Sequence, residues 1–200
     1  FFTLSPERIA VLEEETARTR AGLAPAGEVL ARLGRLSPRW QDEPLWRRDA
    51  LDIARTVASR ALFVAVARGA VEMEAWRQRK ADADRVRRLA RLSEELLAAL
   101  GDVLALSDDF SMDATLRCLS RAKPLGGVQP ALNPHTEQTL KGNAENDYCR
   151  SHHYELVEKV YRPEMAAYWK WVLGRLESGD RSPWRRPAEF TAAAGSISSV

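Results

Sequence analysis

Apolar side chains recur at helical spacing along most of this chain and almost nowhere alternate with period two, so the pattern predicts helices packed on helices. Ser5-Pro6-Glu7 combines a capping hydroxyl, a proline suited to the first helical position and an acid in the first turn. A helix to about Arg20 is expected from there, with Ile9, Leu12 and Thr16 on its buried side and Glu13, Glu14 and Glu15 outside. Gly22 to Pro25 predicts a break, and Ala26 to Leu36 a short second helix with Val29, Leu30 and Leu33 inward. Pro38 to Pro44 reads as a linker.

Beyond it, Leu45 to about Arg79 carries no proline and repeats Leu51, Ile53, Val57, Ala61, Leu62, Val64 and Ala65, predicting a long helix with a bend near Gly69. A second long helix is predicted from about Asp82 to Leu106, with Val86, Leu89, Leu92, Leu96, Leu97, Leu100, Val103 and Leu104 inward. The two form an antiparallel hairpin. Ser107-Asp108-Asp109 is a capping-type sequence ahead of a shorter helix over Met112 to Arg121, and Lys123 to Asn133, with two prolines and two glycines, is loop. Helical pattern resumes from about Glu145 to Gly179, and Pro163 must kink or restart it. The expected architecture is an all-α helical bundle over residues 1–180, with a long antiparallel helix hairpin and a proline-kinked C-terminal helix, followed by a loose tail over 181–200.

Composition narrows the function classes. At 200 residues and 45% hydrophobic content the chain can bury a core. Its 30 basic and 28 acidic residues leave a net charge of +2, too balanced to imply nucleic acid through bulk electrostatics. Ala61 to Ala67, the longest apolar run, is bracketed by Arg60 and Arg68 and is far too short for a membrane span, so no membrane partner is expected. Cys118 and Cys149 are too few for a disulfide scaffold and too far apart for a zinc knuckle, although a single bridge between them stays open. Phe1-Phe2-Thr3-Leu4 shows neither an initiator Met nor a leader pattern, which suggests a fragment or processed chain and leaves the compartment open.

The candidate chemistry is sparse. Asp49, Asp52 and Arg55 share a helix side and suit an ion-pair network that anchors the helix; two acids one turn apart on one helix point the same way and cannot flank a bond. His152 and His153, adjacent in a helix, diverge by about 100°, and His135 sits in a distant loop, so neither a metal site nor a cofactor is expected. Arg77, Arg79, Lys80, Arg85, Arg87, Arg88 and Arg91 form the one dense basic cluster, diluted by Asp82 and Asp84, and read as a solvated hairpin tip. Tyr168, Trp169 and Trp171 suit core packing or docking on a neighbouring domain better than sugar binding.

Three blocks resemble the all-helical C-terminal domain of α-N-acetylglucosaminidases, glycoside hydrolases that remove terminal α-linked N-acetylglucosamine. Arg48-Asp49-Ala50-Leu51-Asp52-Ile53-Ala54-Arg55 is similar to the family's aromatic-Asp-Leu-Val-Asp-(Val/Ile)-x-Arg helix, and Leu92 to Asp109 to its Leu-rich helix ending at an acidic turn. The closing segment is the most specific. Where the family has Asn, a Thr-Leu-Trp-Gly turn, Asp-Tyr-Ala, Leu-Val and Tyr-x-Pro in order, this chain has Asn133, Thr139-Leu140-Lys141-Gly142, Asp147-Tyr148-Cys149, Leu156-Val157 and Tyr161-Arg162-Pro163.

The resemblance implies a domain packed on an upstream catalytic (β/α)8 barrel, lining a cleft for a glycan with terminal N-acetylhexosamine, in a secreted or lysosome-like compartment. Asp147, Tyr148, Lys141, Gly142 and Asn133 are then the substrate-binding candidates. The catalytic glutamates lie on the barrel, so this chain supplies no catalytic residue and is expected to be inactive alone. Lys141 replaces the family's Trp and would favour anionic sugars by charge-assisted hydrogen bonding. A stand-alone, non-catalytic helical interaction domain is the alternative, and homo-oligomer formation is left open.

Overall fold

A computed structural model describes residues 4–111, 113, 114, 117 and 153–183. Its long elements are α1 (Pro6–Trp40), α2 (Pro44–Arg77), α3 (Ala83–Leu104) and α4 (Arg162–Ser178). The expected loop over Lys123 to Asn133, the two cysteines and the residues past Pro183 lie outside the described residues. Asp113, Ala114 and Arg117 are helical, within the span expected for the short helix.

Ser5 caps α1 as expected, its hydroxyl accepting from the Arg8 amide at 3.2 Å. The break at Gly22 to Pro25 is absent and the linker expected over Pro38 to Pro44 shrinks to residues 41–43: α1 runs unbroken for 35 residues, through both Pro25 and Pro38. The prolines are tolerated because both they and the carbonyl-bearing residues four positions earlier, Ala21 and Gly34, face solvent. Water satisfies the freed carbonyls, while the packed side of the helix stays regular. That side is a seam of shielded residues, Ile9, Leu12, Thr16, Thr19, Leu23, Ala26, Leu30, Leu33 and Ser37. The alternating three- and four-residue steps are those of two helices lying side by side. Val29, expected inward, falls off the seam and is exposed.

α2 and α3 form the expected antiparallel hairpin. Met73 and Trp76, late in α2, pack with Val86 and Ala90, early in α3, whereas Leu51, Ala58 and Leu62 pack with Leu97, Leu100 and Leu104 at the opposite end. Arg79 closes α2 in the left-handed region at φ 61°, its amide and that of Lys80 bonding back to the Trp76 and Ala75 carbonyls. Asp82 caps α3 through the Asp84 amide at 3.1 Å. Of the residues expected inward on α3, Leu92 is exposed, and Ala90 and Ser93 are buried instead.

Ser107 caps a single 3-10 turn, Asp108–Phe110, and the hydroxyl of Ser111 accepts from the Ala114 amide at 3.1 Å to begin the next helical stretch. After the segment outside the described residues, His153 is extended, so the helical rod starts at Tyr154 and His153 is not helical as expected. Buried Glu155 marks that start by accepting from the Ser111 hydroxyl at 2.6 Å and the Asp113 amide at 3.2 Å.

Pro163 acts as expected. Tyr154–Leu156 is followed by a π-helical turn, Val157–Tyr161, and then by α4. A wider turn just before proline relieves the clash between its ring and the preceding carbonyls. α4 ends at Gly179, which adopts φ 69° and caps it. α2 continues unbroken through Gly69, and a Cβ there would lie 2.6 Å from Cη2 of Trp169, so glycine admits the indole of α4 to the backbone of α2. Tyr168 and Trp169 are buried and meet edge to face at 4.8 Å, so these aromatics are core.

Candidate functional site

The substrate-binding candidates Asn133, Lys141, Gly142, Asp147 and Tyr148 lie outside the described residues, as do His135 and His152. Among the described residues, one concave surface lies between the second half of α1 and the first half of α2. It is a cleft of about 440 Å³ walled by Leu30 and Leu33 on one side, Trp46, Ala50 and Leu51 on the other, and Leu106 at its end. The seam of α1 puts Leu30 and Leu33 into it, and the four-residue step from Trp46 to Ala50 and Ala54 supplies the facing ridge. Small side chains at Ala50 and Ala54 keep the floor low.

Arg47 anchors the end of the cleft, its guanidinium donating to the Leu106 carbonyl at 2.7 Å. Beyond Arg47 the surface turns polar, and a trough of about 540 Å³ continues past Arg48, Ser107, Asp108 and Asp109. An apolar wall with a mixed-charge rim is the composition of a surface that receives another protein or a small apolar body. Val29, Leu36, Trp40, Leu45 and Ile53 add to the apolar character of the same end, with Leu45 as much as 68% exposed.

The expected Asp49, Asp52 and Arg55 network divides in two. Arg55 pairs with Asp52 and lays its guanidinium 5.0 Å over the Phe110 ring, which ties α2 to the turn after α3. Asp49 pairs with its neighbour Arg48 at 3.0 Å instead, because Arg55, six residues on, lies about 120° around the helix from it. Arg55 does anchor the helix, whereas Asp49 and Asp52 are exposed on one helix and do not face each other across a cleft.

The buried acids are committed to structure. Glu155 closes the junction described above. Glu74 accepts from Arg77 at 2.9 Å and from Gln78 at 3.1 Å. Burial alone would raise its pKa, but these donors and the Arg77 charge hold it below the usual carboxylate range. Burial pushes the Tyr168 hydroxyl well above the ordinary phenol range. Sequence reasoning did not pick out Glu72, which sits beneath a group of arginines; a lone acid between apolar positions in a helix carries no signal of its own until the neighbouring helix is in place.

Among the described residues no three His, Cys, Asp or Glu side chains come together to hold a metal, and no helix is long and apolar enough to cross a membrane. Three of the hairpin-tip arginines are paired with acids, Arg77 with Glu74, Arg85 with Glu72 and Arg87 with Asp84. Comparison with known protein families, with curated proteins and with solved structures finds no match to this chain.

Proposed function

We propose that this chain is a helical interaction module that receives another folded protein body on the open end of its α1 and α2 pair. One observation carries the reading: the exposed large apolar side chains Val29, Leu36, Trp40, Leu45 and Ile53 all fall in the second half of α1 and the first half of α2, the same stretches whose Leu30, Leu33, Trp46 and Leu51 wall a mostly apolar cleft. A concentration of exposed apolar side chains in one region marks sites of association, whereas single exposed apolar residues need no explanation. The mixed-charge rim of Arg48, Asp108 and Asp109 suits a partner chosen by charge register as well as by apolar contact.

Replacing Val29, Leu36, Trp40 and Leu45 together by Lys tests this on the isolated chain. A docking face is not part of the protein's own core, so the variant is expected to unfold within a few degrees of the parent while losing its binding of an apolar dye. A large drop in Tm would show that these side chains belong to the fold's own core and would remove the reading.

A second reading is favoured by the ordered motif from Asn133 to Pro163. In it the body received is a glycosidase barrel, and Asn133, Lys141, Gly142, Asp147 and Tyr148 line its sugar cleft. The motif's similarity to the α-N-acetylglucosaminidase family supports it, and complementation tests it. This chain would be mixed with an α-N-acetylglucosaminidase barrel stripped of its own helical domain, and hydrolysis of an aryl α-N-acetylglucosaminide followed. Restored turnover is expected, with Lys141→Trp improving neutral substrates; no restoration sinks the sugar reading and leaves the module reading standing.

A further inference from the structure

We infer that the cleft at the junction of α1, α2 and α3, away from the docking end, is a binding site for a small amphiphilic anion: an apolar body of a few carbons carrying one carboxylate or phosphate. The cleft encloses about 320 Å³ and is walled by Val64, Leu89 and Leu92, with Arg20, Arg68, Arg85 and Arg88 around it and Glu72 at its base. Each helix contributes by simple spacing. Val64, Arg68 and Glu72 follow one another at four-residue steps on α2, Arg85, Leu89 and Leu92 share a face of α3, and Arg20 reaches in from α1.

Glu72 is what makes this a built site rather than a patch of surface cations. Its side chain is only 6% exposed, and a single carboxylate oxygen takes Nη2 of Arg68 at 2.8 Å and Nη2 of Arg85 at 2.9 Å. A buried carboxylate thereby holds two guanidinium groups from different helices at fixed positions along the cleft. Four guanidinium groups against one carboxylate leave three positive charges in a small volume. Arg20 and Arg88 form no ion pair among the described residues, and the acid one turn before Arg88, Asp84, is taken by Arg87 at 2.7 Å. Their planar forks therefore remain available for the bidentate pairing that carboxylates and phosphates favour.

The apolar wall decides what kind of anion. Leu92 is exposed and Val64 and Leu89 are half-buried, so three branched side chains face the same space as the guanidinium groups. A bare inorganic anion would use the charges and leave this wall wet, while a neutral apolar molecule would leave the charges unmet. A molecule with both parts satisfies both. The site also explains why Leu92 departs from the inward position expected of it: it is turned toward the cleft.

Calorimetric titration of the full chain tests the assignment with phenyl phosphate and octanoate as probes, and with inorganic phosphate and octylammonium as controls. Saturable 1:1 binding of phenyl phosphate or octanoate is expected, weakening with salt because the cleft is open to solvent. Arg20→Gln combined with Arg88→Gln should cost tenfold or more in affinity with Tm unchanged, since both side chains are exposed. Leu92→Ser should weaken both amphiphilic probes and leave inorganic phosphate unaffected. The assignment is overturned by no saturable binding of either probe, by inorganic phosphate or octylammonium binding as tightly as the probes, or by unchanged affinity in the double variant.

Discussion

The two ends of the α1 and α2 pair are built on the same seam and finished differently. At one end Leu12 and Thr16 are sealed, with 0% and 1% exposure, and Leu12 packs with Ala67, Ala70 and Val71. At the other, from Leu23 onward, no residue of α1 is fully buried, and Leu30 and Leu33 look into an open cleft. Spacing is identical at both ends, so helix register does not account for the difference. What differs is the company. Near the sealed end α4 presses Trp169 onto α2 at Gly69, and Leu4 folds back beneath α1. Among the described residues no comparable element covers the outer half. A seam is therefore only an offer of packing, and a third body decides whether it becomes core.

The sharpest way to break this comparison is to truncate the same residue at both ends. Leu12→Ala should cost about 2–5 kcal/mol, the range for a fully buried leucine, whereas Leu33→Ala should cost under about 1 kcal/mol because its cavity is already open. Chemical denaturation of the two variants measures the difference, and equal losses would show the outer half to be core after all.

Next in size is a pair of glycines that should respond with opposite sign. Gly69→Ala puts a methyl 2.6 Å from Trp169 and should destabilise by about 1–3 kcal/mol. Gly34→Ala, at the open cleft, meets no atom within 4 Å and should stabilise by about 0.5–1 kcal/mol through helix propensity alone. Thermal melts of both variants resolve the signs.

The smallest effect is confined to acid and to the sealed end. Glu74 titrates below its ordinary value of 4.5 in the folded protein, so the unfolded chain takes up its proton first as pH falls. The stabilisation is therefore fully present above about pH 4.5 and disappears as pH drops through the lower folded value. Parent stability measured against pH should fall through that window, and Glu74→Gln should flatten this part of the profile. An unchanged slope in the variant would assign the acid sensitivity to other carboxylates.

Much of the fold was legible without coordinates. The cap at Ser5, the strong stripe of α3 and the lone Pro163 are local signals, and each acts within one or two turns of its own position. α1 was misread because its seam is diluted with Thr16, Thr19, Ala26 and Ser37, so that Gly22 and Pro25 outweighed a weak stripe. The α1–α2 cleft and the arginine cleft were invisible for another reason. Leu30 and Trp46, or Arg20 and Arg88, become neighbours only when helices distant in sequence are laid together.

Local chemistry alone thus determined that this protein is helical, where the hairpin turns and where its last helix is reshaped by proline, because capping, periodicity and a missing backbone donor act over a few residues. Which faces closed into core and which stayed open was decided by tertiary structure. Burial of Leu12 or exposure of Leu36 depends on whether a distant helix arrives to cover it, and no short-range pattern encodes that arrival.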